Sequence, residues 1–210
     1  GVIWLSVPVL NKQHYQIKCK DVQINQALPW QKKHWRSLVG AYQKAPFFNR
    51  YADFFEDVYS REWTHLSLLD EHILKYLLDA FGIKVKWVRA SDYEFQGKGS
   101  DLVLDMCLHL KAGAYVFGTL GRDYARIEDF AREGVAVYFQ DYRHPSYRQL
   151  WGEFASHLSA VDLLFTVIGS GTVKSVALAM PSAVRKLAGA ESRFHIDTSA
   201  LPPATMCASS

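Results

Sequence analysis

The chain has 210 residues, 49% of them hydrophobic, which suits one compact domain with a buried core and excludes a wholly disordered chain. Its 24 Lys and Arg against 21 Asp and Glu leave a net charge of +3, scattered except for a knot at Lys32, Lys33 and Arg36; a dedicated nucleic-acid binder carries a denser basic stripe. Uncharged runs such as 163–173 fall short of the ~18 residues of a membrane span. Three scattered cysteines, Cys19, Cys107 and Cys207, form no C-x-x-C or Cys/His finger, which points to a reducing, cytoplasmic setting and to no bound metal.

Residues 2–9 and 15–24 read as strands, the second alternating Ile17 and Cys19 against Lys18 and Lys20, with a hairpin turn at Asn11-Lys12-Gln13. Pro29-Trp30 opens a helix to about Tyr42, Pro suiting a first turn, and Pro46 breaks the chain before a second helix near Phe47. A third helix, 67–80, starts with Ser67 and Asp70 at capping-box spacing and stops at Gly82.

Three strand-like runs follow, 84–90, 114–118 and 135–140, linked by helix-like stretches 100–111 and 122–132. Such a β-α-β-α-β unit favours parallel strands with right-handed crossovers, which gathers the loops after the strands on one sheet edge. The expected fold is therefore α/β: a three-layer or open, mostly parallel sheet on residues 84–140, with an N-terminal β-hairpin and a helical insertion. Helices are also expected over 150–157, 159–168 and 173–188. Residues 1–188 read as one domain, and 189–210 as a poorly ordered tail rich in Ala, Ser, Pro and Thr. The chain opens without Met, directly into strand-like sequence, so an N-terminal leader is expected to be missing.

The loops after the three runs hold the candidate site. In the first, Ser91 leads to Gly97-Lys98-Gly99-Ser100, where N–H groups at a helix start, a glycine pair and a lysine suit a phosphate; the same residues also read as a flexible loop with Ser100 or Asp101 capping the helix. The second carries Gly118, Arg122 and Tyr124. Its arginine can clamp a carboxylate or phosphate, or the segment is an ordinary strand-to-helix turn.

The third, Asp141-Tyr142-Arg143-His144-Pro145-Ser146-Tyr147-Arg148-Gln149, is the densest polar-aromatic cluster in the chain. His144 and Asp141 are its catalytic candidates. Imidazole titrates near neutrality, and Pro145 holds His144 in extended backbone. Tyr142 and Tyr147 can stack on a sugar or base, and Gln149 supplies an amide. A structural His-Pro turn is the bland alternative. Asp162 looks like a buried carboxylate in an apolar run, yet its capping-box spacing from Ser159 favours a capping role. Cys107 reads as core, His34 as part of an exposed helix face, and His65 and His72 stand too far apart to share a metal unaided. There is no G-x-S-x-G elbow, P-loop or H-E-x-x-H.

Several segments together resemble the WbqC-like family of bacterial proteins: Trp4-Leu5-Ser6-Val7-Pro8-Val9, Tyr42-Gln43-Lys44-Ala45-Pro46-Phe47-Phe48, Gly113-Ala114-Tyr115-Val116-Phe117-Gly118, His144-Pro145-Ser146-Tyr147-Arg148-Gln149 and Leu158-Ser159-Ala160-Val161-Asp162-Leu163-Leu164-Phe165. Order and spacing agree over about residues 2–169. The family's pattern begins with a His/Gln-Pro-aromatic segment that this chain does not show. The resemblance implies a role in O-antigen and other surface-polysaccharide gene clusters, modifying an activated amino sugar by acyl transfer. Its partners would be a nucleotide-sugar substrate and an acyl donor or carrier, with no nucleic acid and no membrane span; any cofactor is unknown. The alternative is a non-catalytic sugar- or partner-binding protein of a polysaccharide assembly system.

Overall fold

Pro29 stands at the N-cap of the first helix, where its missing N–H costs nothing, and α1 runs from Trp30 to Tyr42. Helix α2 spans Phe48–Ser60 and α3 spans Leu66–Ala80. The computed structural model describes residues 2–10, 17–142 and 144–167. The expected turn at 11–13, Arg143, the helix at 173–188, the tail and Cys207 lie outside them. The chain separates into two compact units: the described part of the first comprises residues 2–10, 17–84 and 144–167, and that of the second residues 85–142.

The first unit is helical. Apolar residues at helical spacing on α2, namely Phe48, Tyr51, Phe55 and Val58, are all buried. Phe48, Tyr51 and Phe55 pack with Leu38 of α1, Phe81, and Leu164 and Phe165 of a short helix, α6, at Ala160–Thr166. (Helices α4, Ser100–His109, and α5, Ile127–Arg132, belong to the second unit.) Val58 joins Ile24, Trp30 and Leu69 in a neighbouring cluster. Phe47 N–H donates to the Phe165 carbonyl at 3.1 Å, tying the start of α2 to the end of α6.

The second unit carries a parallel sheet. Strand β1, Ala114–Phe117, pairs in register with β2, Ala136–Phe139, from Ala114 opposite Ala136 to Phe117 opposite Phe139. Helix α4, Ser100–His109, precedes β1, and α5, Ile127–Arg132, makes the crossover to β2. Phe117, Phe130, Val103, Cys107 and Val135 form the core. Gly121 lies so close to Phe117 that an added Cβ would stand 2.7 Å from its Cδ1, closer than any side chain tolerates.

The α/β character and the parallel pairing agree with the sequence reading, and the finer topology departs from it. Residues 84–89 take no regular secondary structure, with Lys84, Lys86 and Arg89 exposed, and enter a 3-10 turn at Ala90–Asp92. They join no ladder among the described residues, so the β-α-β-α-β reading reduces there to two strands. Alternation reports that one face is half-buried; it does not supply a partner strand. Among the described residues the expected N-terminal hairpin likewise shrinks to one isolated antiparallel bridge, Val9 to Ile24, because a 3-10 turn at Cys19–Asp21 interrupts the second run, whose Gln23 bridges instead to His65.

Two further expectations change. Helix α3 starts at Leu66 with His65 as N-cap, and Ser67 Oγ donates to the Lys20 carbonyl at 3.4 Å, so no Ser67–Asp70 capping box forms. Residues 150–157 are turns and bends, not helix. There the Gln149 amide binds both backbone groups of Ala155, donating to its carbonyl and accepting from its N–H, each at 2.8 Å, while Gly152 and His157 take left-handed conformations.

Candidate functional site

The residues expected to form one site fall into both units. Ser91, Lys98, Gly99, Ser100, Gly118, Arg122, Tyr124, Asp141 and Tyr142 belong to the second unit; His144, Tyr147 and Gln149 belong to the first.

In the second unit several of these residues already have structural partners. Ser100 is buried, and its Oγ accepts from the Arg126 N–H at 3.0 Å. Arg126 also pairs with Asp101 and Asp129, linking the start of α4 to the connection before α5. Arg122 lies over the Phe139 ring, 4.6 Å from its centroid, so its cation faces an aromatic side chain at the carboxyl end of β2. Gly118 opens a 3-10 turn, Thr119–Asp123, and Tyr124 meets Phe117 edge-on. Gly97, at φ +87°, comes so close to Asp101 that an added Cβ would meet its Cβ at 2.8 Å, and Gly99 is the N-cap of α4. Ser91 lies in the 3-10 turn Ala90–Asp92, and Asp141 and Tyr142 are exposed.

The first unit holds the denser arrangement. His144 Nδ1 lies 2.9 Å from the Pro145 carbonyl oxygen, which can only accept. Nδ1 therefore carries the proton, and in the neutral ring the lone pair sits on Nε2. Among the described residues this imidazole packs against His157, with centroids 4.7 Å apart, Phe154 at 5.8 Å and Tyr147 at 6.2 Å. Phe154 also meets Tyr147 edge-on at 5.5 Å. His157 has φ +59°, a conformation that costs a non-glycine residue free energy and recurs at functional sites. Its Nδ1 lies 2.9 Å from Ser156 Oγ.

Beneath Tyr147 is a carboxylate that the spacing argument assigned to a cap. Ser159 does cap α6, its side chain accepting from the Val161 N–H. Asp162, however, turns its carboxylate inward and is only 3% exposed. Oδ1 accepts from the Tyr42 hydroxyl at 2.9 Å. Oδ2 accepts from the Tyr147 hydroxyl at 2.7 Å and the Gln149 amide at 3.2 Å. Burial pushes the Tyr42 phenol well above its ordinary range, and the hydrogen bond and charge of Asp162 push it further. Tyr42, His157 and Asp162 are thus additions to the site. The one sequence signal for them was a charge inside the apolar run 158–165.

Other titratable groups are explained by packing. Cys107 is buried in the second unit's core, and desolvation raises its thiol to about 11, which suits a core residue and not a nucleophile. His34 is not on an exposed face: it is 4% exposed, in edge contact with Trp30 and Tyr59, and burial lowers its pKa. His72 stacks on Phe54 and contacts Trp63. Among the described residues no group of three or more His, Cys, Asp or Glu side chains is placed to hold a metal, and no helix is long and apolar enough to cross a membrane.

A helical unit bearing an imidazole pair over a buried carboxylate, together with a unit built on a parallel strand pair, defines a mixed α/β protein. Residues 1–172 match the WbqC-like protein family, and the chain belongs to that family. It is also similar to "Uncharacterized protein Rv1507c" of Mycobacterium tuberculosis, with 32% identity over 169 residues, covering 80% of this chain and 73% of that protein. No solved structure matches it significantly.

Proposed function

We propose that the protein acts in bacterial surface-polysaccharide (O-antigen) biosynthesis, transferring an acyl group to the amine of a nucleotide-linked amino sugar with His144 as general base. The observation that carries this reading is the setting of the His144 ring, whose Nδ1 lies 2.9 Å from the Pro145 carbonyl oxygen and which packs against the His157, Phe154 and Tyr147 rings. In the reaction the sugar amine attacks the carbonyl carbon of an acyl thioester. A C–N bond forms, the C–S bond breaks, and the amine proton passes to the His144 imidazole and then to the departing thiolate. Exposed rings beside the imidazole, Phe154 and, in the same loop, Trp151, whose indole N–H is anchored on the Ala41 carbonyl at 2.7 Å, offer faces for a sugar ring. For the second unit alone, Lys98, Gly99 and Arg122 stand as proposed anion contacts, to be tested by pyrophosphate titration of Lys98→Ala and Arg122→Ala.

The same exposed aromatic faces favour a second reading, a sugar-binding protein without chemistry. The two separate by mass spectrometry of nucleotide-linked amino sugars incubated with the protein and acyl-thioester donors. A mass increase matching the acyl group supports transfer. Sugar binding without any product supports the second reading.

A further inference from the structure

We propose that Asp162 is a positioning residue, its buried carboxylate orienting His144 through the Tyr147 ring; this rests on His144 being the base proposed above. A carboxylate so deeply buried is an unfavourable way to gain stability, since well-packed apolar residues usually serve as well. Among the described residues no Lys or Arg pairs with it, and its hydrogen-bond partners are neutral donors. What such a carboxylate supplies is direction. An ionised oxygen only accepts, so both phenols must point their O–H groups at it, through charge-assisted bonds stronger than neutral ones.

Three segments converge on those two oxygens: the end of α1 through Tyr42, the segment 144–149 through Tyr147 and Gln149, and α6 through Asp162 itself. Gln149 ties the same acceptor to the Ala155 backbone, one residue beyond Phe154. Tyr147 and Phe154, both held by this brace, are rings against which His144 packs. Moving the Tyr147 hydroxyl off Asp162 frees one wall of the imidazole's surroundings while leaving the His144–Pro145 bond intact.

The test compares Asp162→Asn, Tyr147→Phe, His144→Ala and, as a destabilised control in the other core cluster of the unit, Val58→Ala. The His144 ring signals, assigned by their loss in His144→Ala, are followed by proton–carbon NMR through a pH titration, and turnover is measured with an acyl-thioester donor. In Asp162→Asn and Tyr147→Phe the His144 signals and titration midpoint should move, and turnover should fall roughly 10–100-fold with KM nearly unchanged. The double variant should add little to either single one, and Val58→Ala should leave the His144 signals in place. If Asp162→Asn fails to fold, Tyr147→Phe carries the comparison alone. Unchanged His144 signals in both variants would overturn the proposal. Moved signals together with full activity in His144→Ala would instead reject the base while keeping the brace.

Discussion

Removing the Asp162 carboxylate should cost the first unit a large share of its stability, and the structure sets the size. In Asp162→Ala the Tyr42 and Tyr147 hydroxyls, bound at 2.9 and 2.7 Å, lose their acceptor. Hydrogen bonds to a charged group contribute about 1.5–3 kcal/mol each. Two of them sum to roughly 3–6 kcal/mol, offset in part because the variant no longer desolvates a buried charge. The Gln149 amide adds little to the loss, since it keeps the Ala155 carbonyl. A net loss of about 3 kcal/mol is expected, against a total of roughly 5–15 kcal/mol for a folded protein. Urea unfolding followed by tryptophan fluorescence is a suitable assay, because five of the six tryptophans (Trp4, Trp30, Trp35, Trp63 and Trp151) lie in the first unit. With a slope near 2 kcal/mol per molar, the midpoint should fall by about 1.5 M. Asp162→Asn, which keeps one acceptor oxygen, should lose about half as much, and Asp162→Ala with Tyr147→Phe should cost less than the sum of the two. A midpoint within experimental error of wild type for Asp162→Ala would refute the claim that this carboxylate holds both phenols.

Burial raises the Tyr59 phenol from 10.0 to about 12, so its proton stabilises the fold fully below pH 10 and that contribution disappears as pH rises through 12. The loss should approach roughly 2–3 kcal/mol, and Tyr59→Phe should flatten this part of the alkaline unfolding curve. His34 behaves in the opposite sense. Its folded pKa lies below the ordinary 6.5, so the unfolded chain takes up a proton first and stability falls as pH drops below 6.5; His34→Phe should remove that part of the slope in acid titrations followed by circular dichroism. Gly121→Ala should destabilise the second unit by about 1–3 kcal/mol or more, because the new Cβ meets the Phe117 ring and the adjoining strand leaves little room to retreat. Hydrogen exchange of the β1 and β2 amides is the readout, and unchanged protection would contradict the packing argument.

Helices with strong punctuation were legible from the residues: Pro29 and Pro46 mark the approaches to α1 and α2, and Gly82 follows α3 with φ +67°. The parallel pairing of β1 and β2 was legible too, because a helical crossover leaves few alternatives. What failed was whatever depends on a distant partner. Residues 84–89 alternate like a strand, and alternation carries no information about who pairs with it. The segment 150–157 has helical composition, but the Gln149 side chain takes the Ala155 backbone groups that a helix would use. His34 was misplaced because the lysines and arginine around it suggested a solvated face, whereas the contacts that bury it come from Trp30 one turn earlier and from Tyr59 on α2.

The candidate site shows the same division. His144, Tyr147 and Gln149 stood out because they are close in sequence, and the structure keeps them in one unit. Asp162 and Tyr42 are 120 residues apart, so their hydrogen bond had no local signature. A carboxylate inside an apolar helical run was the one hint, and local capping-box spacing outweighed it. The real Ser159 cap is satisfied without the Asp162 side chain, which leaves the carboxylate for the interior.

The most direct test of acyl transfer through His144 is mass spectrometry of a nucleotide-linked amino sugar incubated with an acyl-thioester donor and either the wild-type chain or His144→Ala. A positioned base contributes about 10²–10⁴-fold in rate, so wild type should yield the N-acylated sugar and free thiol while the variant, still folded and still binding the sugar, falls by about that factor. Equal product from both proteins would contradict the account.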